Sequence, residues 1–274
     1  MAQGSRARWV VIGVAVMVGA TAAAVWLPGL LTPTVLEAQP SDSGSEPVVQ
    51  LDFADQVGRV LGDGAAVEVS GSASARLEAH VVGRGDGRVV TVQGRAGNGA
   101  AVSFSRDDAD DSVAVVVVPR SGDDLTMGTR DFTFGADFNS DGNWADGNNV
   151  VERGIYSDRG QYKFEIDEGR PGCVVRGDAG QVVARLGPIL APGVWYSGQC
   201  VRKGSAVTVT VRELDGASPK EWARTVEGPI GDVQPESPTT QLSIGAKTWD
   251  NVKVGVENDQ FTGVIDNVYV RLDA

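Results

Sequence analysis

Two stretches alternate apolar and polar residues with a period of two, and they restrict this chain to β-structure more tightly than any other feature in it. In DFTFGADF, Phe132, Phe134, Ala136 and Phe138 fall on one side, while Thr133, Gly135 and Asp137 fall on the other. In QYKFEID, Tyr162, Phe164 and Ile166 alternate with Lys163, Glu165 and Asp167. Each strand offers one aromatic face to a shared core, which is half of a sandwich. Other strand candidates are VVQLDF, LEAHVVG, RVVTVQG, AAVSF, VAVVVV, VWYSGQCVRKG, SAVTVTVREL, QLSIGA and FTGVIDNVYVRL. Turns such as GDG, GRGDGR and GNG punctuate the chain, and hardly any segment has helical periodicity, so a sandwich or a barrel is expected. The segment SPKEWARTVEGP, residues 218–229, fits either a short helix or a strand, because Pro219 could occupy a first helical turn. Val113–Val118 lacks alternation and lies between acidic residues and Pro119-Arg120, as a strand covered on both faces would.

The N-terminus carries a different signal. After Arg6 and Arg8, 23 residues from Trp9 to Leu31 pass without a charge, and the first acidic residue is Glu37. About 20 such residues span a bilayer, so residues 1–38 read as a cleaved secretory signal or as an uncleaved anchor with its N-terminus in the cytoplasm. In both readings the remainder is exported, secreted or held at the membrane with the domain outside. Residues 39–47, QPSDSGSEP, have nothing to bury and read as a flexible linker. Residues 48–274 then form one domain. The net charge of -12 and the scatter of Lys and Arg argue against nucleic acid as a partner. The same charge argues against anionic lipid surfaces, so membrane contact is expected only through the N-terminal segment. Abundant Ala, Val, Gly and Arg suggest a GC-rich bacterial genome.

From about Gly94 to Leu272, the order and spacing of several pieces resemble the laminin G-like members of the concanavalin A-like jelly rolls, an exported bacterial subgroup in particular. The pieces are GAAVSF, DFTFGADF, NNVVERGIYSDRGQYKFEIDEGRPGCVVRG, PGVWYSGQCVR, LSIGA and FTGVIDNVYV. The resemblance implies an all-β, two-sheet antiparallel jelly-roll sandwich with one concave sheet, and a binding or adhesion role. It matches Cys173 and Cys200 to paired cysteines, and an exported chain with an even number of cysteines normally oxidises them. Two buried free thiols are the alternative. It also reads Trp195, at the turn into a core strand, as a core residue in place of a sugar platform, and Asp266 as a buried acceptor for loop amides in place of a ligand contact.

Asp137, Asn139, Asp141 and Asn143 set oxygen side chains at alternate positions, with Gly142 sixth, as a calcium loop of the EF-hand or dockerin kind begins. Position twelve is Asn148 where that loop has a bidentate Glu, and Asp146 is left as a further acid. A calcium site and a solvated Asx-rich turn both fit. Trp144 and Trp249 lie in loops, where an indole can stack on a sugar or pack its own loop.

Catalysis is less well served. Glucanases of the superfamily use E-x-D-x-x-E on one strand, and Glu165-Ile-Asp167-Glu168-Gly-Arg170 ends in Arg where the acid belongs. His80 is the single histidine, which excludes multi-histidine zinc sites and leaves no supported Ser-His-Asp triad. The expected function is therefore a non-catalytic exported module that binds a carbohydrate or a cell-surface protein, with calcium as a candidate cofactor. The alternatives are a glycoside-active enzyme of the glucanase type and a purely structural envelope protein.

Overall fold

The computed structural model describes residues 46–273, except 54–55, 96–98, 106–110, 123, 145–146, 236–239, 250–252 and 255–258. The apolar segment, most of the linker and Asp146 lie outside the described residues. Among the described residues no helix is long and apolar enough to cross a membrane.

In chain order the strands are β1 (Val49–Leu51), β2 (Val60–Leu61), β3 (Ala66–Val67), β4 (Leu77–Arg84), β5 (Val89–Gln93) and β6 (Ala100–Phe104). There follow β7 (Ser112–Pro119), β8 (Phe132–Ser140), β9 (Asn148–Arg153), β10 (Gln161–Asp167), β11 (Arg170–Gly177) and β12 (Gly180–Arg185). The last are β13 (Trp195–Lys203), β14 (Ala206–Glu213), β15 (Glu221–Glu227), β16 (Leu242–Ile244), β17 (Thr248–Trp249), β18 (Lys253–Val254) and β19 (Gly263–Leu272). One sheet runs β15-β14-β13-β8-β19-β6-β5-β2, with β1 also on β19; the other runs β12-β11-β10-β9-β16-β7-β4-β3. Every pairing between named strands is antiparallel, as in a jelly roll. The ambiguous segment after Ser218 is a strand: β15 pairs with β14 along its length, and this sheet pairing decides what local propensity left open.

The two alternating stretches meet across the core as β8 and β10. Phe134 lies edge-on to Tyr162 at 5.1 Å and Phe138 to Phe164 at 5.6 Å between ring centroids; such pairs contribute about 0.5–1.5 kcal/mol each beyond their buried area. An ideal Cβ on Gly198 would stand 2.3 Å from the Phe164 ring, so β13 approaches β10 only because that position is bare. The disulfide between Cys173 on β11 and Cys200 on β13 ties the two sheets together through the core, with Cα atoms 5.7 Å apart.

Val113 to Val117 are fully buried. Val113, Val115 and Val117 face the main core, while Ala114 and Val116 join Val82, Ala246 and Val254 on the outer face of β7. The β17–β18 hairpin pairs Thr248 with Val254 and supplies that cover. His80 is half-buried opposite Val116, which suits a filler.

One expectation about the core fails. Trp195 is half-buried on the outer face opposite Asn139, and its neighbour Tyr196 enters the core 5.8 Å from Phe138. The alternation of β13 is set by Tyr196, Gly198 and Cys200, all inward, and leaves Trp195 on the other side.

Candidate binding trough on the eight-stranded sheet

The outward residues of β10 are Gln161, Lys163, Glu165 and Asp167, and they meet partners from three neighbouring strands. Glu152 on β9 stands opposite Lys163. A register shift between Phe164 and Glu165 then brings Asn149 opposite Glu165. On the other side, Gly172 of β11 is opposite Glu165, and Arg185 of β12 is opposite Gly172. Glu165, Gly172 and Arg185 thus form one row across three strands. A Cβ on Gly172 would lie 3.3 Å from Arg185 Nε, so the bare position is where the arginine crosses β11. Arg185 Nη2 reaches Glu165 Oε1 at 2.6 Å, and Nη1 donates to Asp167. Lys163 Nζ holds the other Glu165 oxygen at 2.5 Å.

Glu152, Gln161, Lys163, Glu165 and Arg185 floor and wall a trough of about 180 Å³ whose apolar part is Val174, Val183 and Tyr156. Val183 is 38% exposed and Tyr156, in the β9–β10 turn, is 74% exposed. The Arg176 guanidinium lies 4.3 Å over the Tyr156 ring and donates to the Tyr156 carbonyl. The opposite wall is the Lys247–Asp259 ion pair at 3.0 Å, carried by segments next to β16 and β19.

Glu152 is buried, and removal from water pushes its carboxyl up from 4.5 to about 7, although Lys163, Gln161 and Lys247 oppose that shift. For Lys163 burial works in the lowering direction, yet Glu165 and Glu152 outweigh it and the ammonium is raised.

The other candidate residues lie elsewhere. Asp137 and Asn139 belong to β8, facing outward on the nine-stranded sheet, rather than to a loop. Asp137 Oδ2 accepts from Asn267 Nδ2 at 2.7 Å, Asn139 Nδ2 donates to the Gly193 carbonyl, and Asp141 Oδ1 accepts from Asn143 N and Thr262 Oγ1. A strand sends its side chains to separate partners where a calcium loop would converge them. Among the described residues no group of three or more His, Cys, Asp or Glu is placed to hold a metal ion. Asp266 is buried opposite Asp137 and accepts from its neighbour's amide, Asn267 N; burial, then Asp137 and Asp52, push it up to about 6.

Trp144 is half-buried and covers the β10–β11 turn, within 3.2 Å of where a Gly169 Cβ would stand. Trp249 belongs to strand β17 and not to a loop, because Thr248 and Trp249 pair with β18; it is half-buried, opposite Lys253 in the hairpin. Neither lines the trough. The glucanase-like motif breaks for a structural reason: β10 ends at Asp167, the chain turns at Glu168 and Gly169 with φ of 49° and 79°, and Arg170 already begins β11. Alternation in QYKFEID marks Lys163, Glu165 and Asp167 as outward. Nothing in the sequence marks Glu152, Tyr156, Arg185, Lys247 or Asp259 as their neighbours.

Fold and site define a two-sheet antiparallel jelly-roll sandwich with a polar trough on the outer face of one sheet. No family model and no curated protein matches the chain. Among solved structures, the binding domain of Paraclostridial Mosquitocidal Protein 1 superposes with a TM-score of 0.51 at 11% identity, over 85% of this chain and 50% of that one. The binding domain of botulinum neurotoxin DC, in complex with rat synaptotagmin II, gives 0.50 at 9% identity, over 83% and 48%. The enzymatically active domain of bacteriophage CBA120 tailspike protein 2 gives 0.48 at 16%, over 71% and 28%, too distant to carry an argument. The chain matches about half the length of the two toxin domains, and at these identities the likeness is one of fold.

Proposed function

We propose that the protein is an exported, non-catalytic binding module of the laminin G-like type, and that its trough takes a carbohydrate. One observation carries this reading: an exposed Tyr156 and the Val174–Val183 strip lie beside a belt of ion-paired Lys163, Glu165 and Arg185. A pyranose has an apolar C–H face and a hydroxyl rim, and the trough presents an apolar surface next to fixed donors and acceptors. Its volume is below the ~300–1,000 Å³ of sites that enclose drug-sized ligands, which suits one ring of a longer glycan. The fold shared with toxin binding domains supports a binding role, and the sequence motifs support the laminin G-like subgroup. Export is supported by the apolar segment and by a disulfide, which persists in oxidising compartments. A glycan and cell-surface protein screen on residues 48–274 tests it. Binding to a saccharide lost at least tenfold in Tyr156→Ala is the expected result; capture of protein partners only, indifferent to Tyr156, would move the site elsewhere.

A glycoside-active enzyme is the second reading, favoured by Glu152, which holds its proton to about 7 on the strand next to Glu165. Against it, both Glu165 oxygens are occupied, by Lys163 and Arg185, so the nucleophile or base is not free. Turnover of a β-glucan that disappears in Glu165→Gln would establish it.

Calcium is a separate proposal, supported by the spacing of Asp137, Asn139, Asp141, Asn143 and Asp146 and by the exposure of Asp141 and Asn143. If it binds the folded state, saturation at 100 times its Kd adds about 2.7 kcal/mol and raises Tm by roughly 5–10 °C. Melts in calcium, in chelator and in sodium chloride of equal ionic strength decide the matter, and three superimposable curves end the proposal.

A further inference from the structure

Glu152 is buried at the base of the trough, and both its oxygens face side-chain amides. Gln161 Nε2 donates to Oε1 at 2.8 Å, and the Asn149 amide meets Oε2. Asn149 is fully buried, and its own Oδ1 has no hydrogen-bond partner. A primary amide turned over about its last side-chain bond exchanges a donor for an acceptor at the same place. The same heavy atoms therefore accommodate two settings. With Glu152 ionised, Asn149 donates to it and leaves an acceptor stranded. With Glu152 protonated, the turned amide accepts a hydrogen bond from the carboxyl O–H through that oxygen, and its NH2 group takes the place of the stranded acceptor.

The groups that face Glu152 are Lys163 and Glu165 from β10, Gln161 on the same strand, Lys247 after β16, and Asp259 before β19. Ser243 of β16 is engaged with the Glu152 main-chain carbonyl. Lys163 is paired with Glu165, and Lys247 with Asp259. Neither cation is bonded to Glu152 in place of those partners, and Arg185 from β12 is taken up by Glu165 and Asp167, so ionising Glu152 adds a negative charge to groups that are already paired.

We propose that Glu152 and Asn149 form a proton switch in the trough floor, neutral in mildly acidic surroundings and anionic in mildly alkaline ones. The inference deepens the trough reading: it makes the site hospitable to an acidic ligand group at the lower pH, and repels one at the higher. Burial supplies the reason that the change falls near neutrality, since the carboxyl is held up to about 7.

Carboxyl-¹³C NMR of the full chain with labelled glutamate, followed from about pH 5 to about pH 9, tests the switch without any glycan. A blank glycan screen and a failed switch are therefore separate results. Glu152 is assigned in the parent through correlation with its own side-chain protons, so the result does not depend on a variant folding. The expected outcome is a Glu152 midpoint at about 7, followed at the same midpoint by the methyl signals of Val174 and Val183, and loss of that methyl titration in Glu152→Gln. A midpoint within the ordinary range of exposed glutamates overturns the proposal. So does a midpoint near neutrality with methyl signals that stay still.

Discussion

At the scale of single residues, burial of the Glu152 carboxyl carries an electrostatic cost. Its folded value is about 7 against an ordinary 4.5. Below 4.5 both folded and unfolded chains hold the proton, and the group costs nothing. As pH rises from there, the unfolded chain ionises first, so stability falls until the folded carboxyl also ionises. The integrated loss is about 3 kcal/mol at 1.36 kcal/mol per pH unit. Glu152→Gln has no proton to release. It should therefore gain on the parent by up to about 3 kcal/mol between pH 4.5 and pH 7, measured as urea midpoints across that range. Parallel curves for the two proteins would mean that Glu152 titrates normally. Gly172 works in the opposite direction, through absence: with no side chain there, Arg185 lies across β11 and reaches Glu165 two strands away.

At the scale of elements, the sheets are joined by more than packing. Cys173 on β11 and Cys200 on β13 are separated by 27 residues in sequence, and a loop of that size closed by a disulfide stabilises by about 3.5 kcal/mol on the chain-entropy model. Cys173→Ala with Cys200→Ala should lower Tm by roughly 7–14 °C, taking about 2–4 °C per kcal/mol. Equal melting of the reduced and oxidised parent would instead show that the aromatic contacts of β8 and β10 hold the sheets without it. The bulge in the β9–β10 pairing is the second element-level device. It shifts the register so that Asn149, in place of its neighbour Val150, faces Glu165.

At the scale of the whole molecule, one apolar cluster runs through both sheets, from Val49 and Leu51 to Val268 and Val270. A smaller one sits outside β4 and β7, under the hairpin. A single shared core should melt in one cooperative step, so near-UV circular dichroism and tryptophan fluorescence should give coincident thermal transitions; two separated transitions would mean that the sheets unfold independently. The sequence alone determined the strands at the centre of this fold, because the direction of a side chain in a strand is a local property set by the pleat. It showed that Phe132, Phe134, Phe138, Tyr162 and Phe164 turn inward and that Lys163, Glu165 and Asp167 turn outward, and it marked Val113–Val118 as covered twice. Only the tertiary structure decided which outward residues meet. Lys247 and Asp259 reach the trough from about a hundred residues away, Arg185 arrives because Gly172 is bare, and a bulge sets Asn149 opposite Glu165. The same limit misplaced Trp195, since which of two adjacent aromatics enters the core depends on how β13 packs against β8. Register and strand order are set by long-range packing, and no spacing within one segment encodes them.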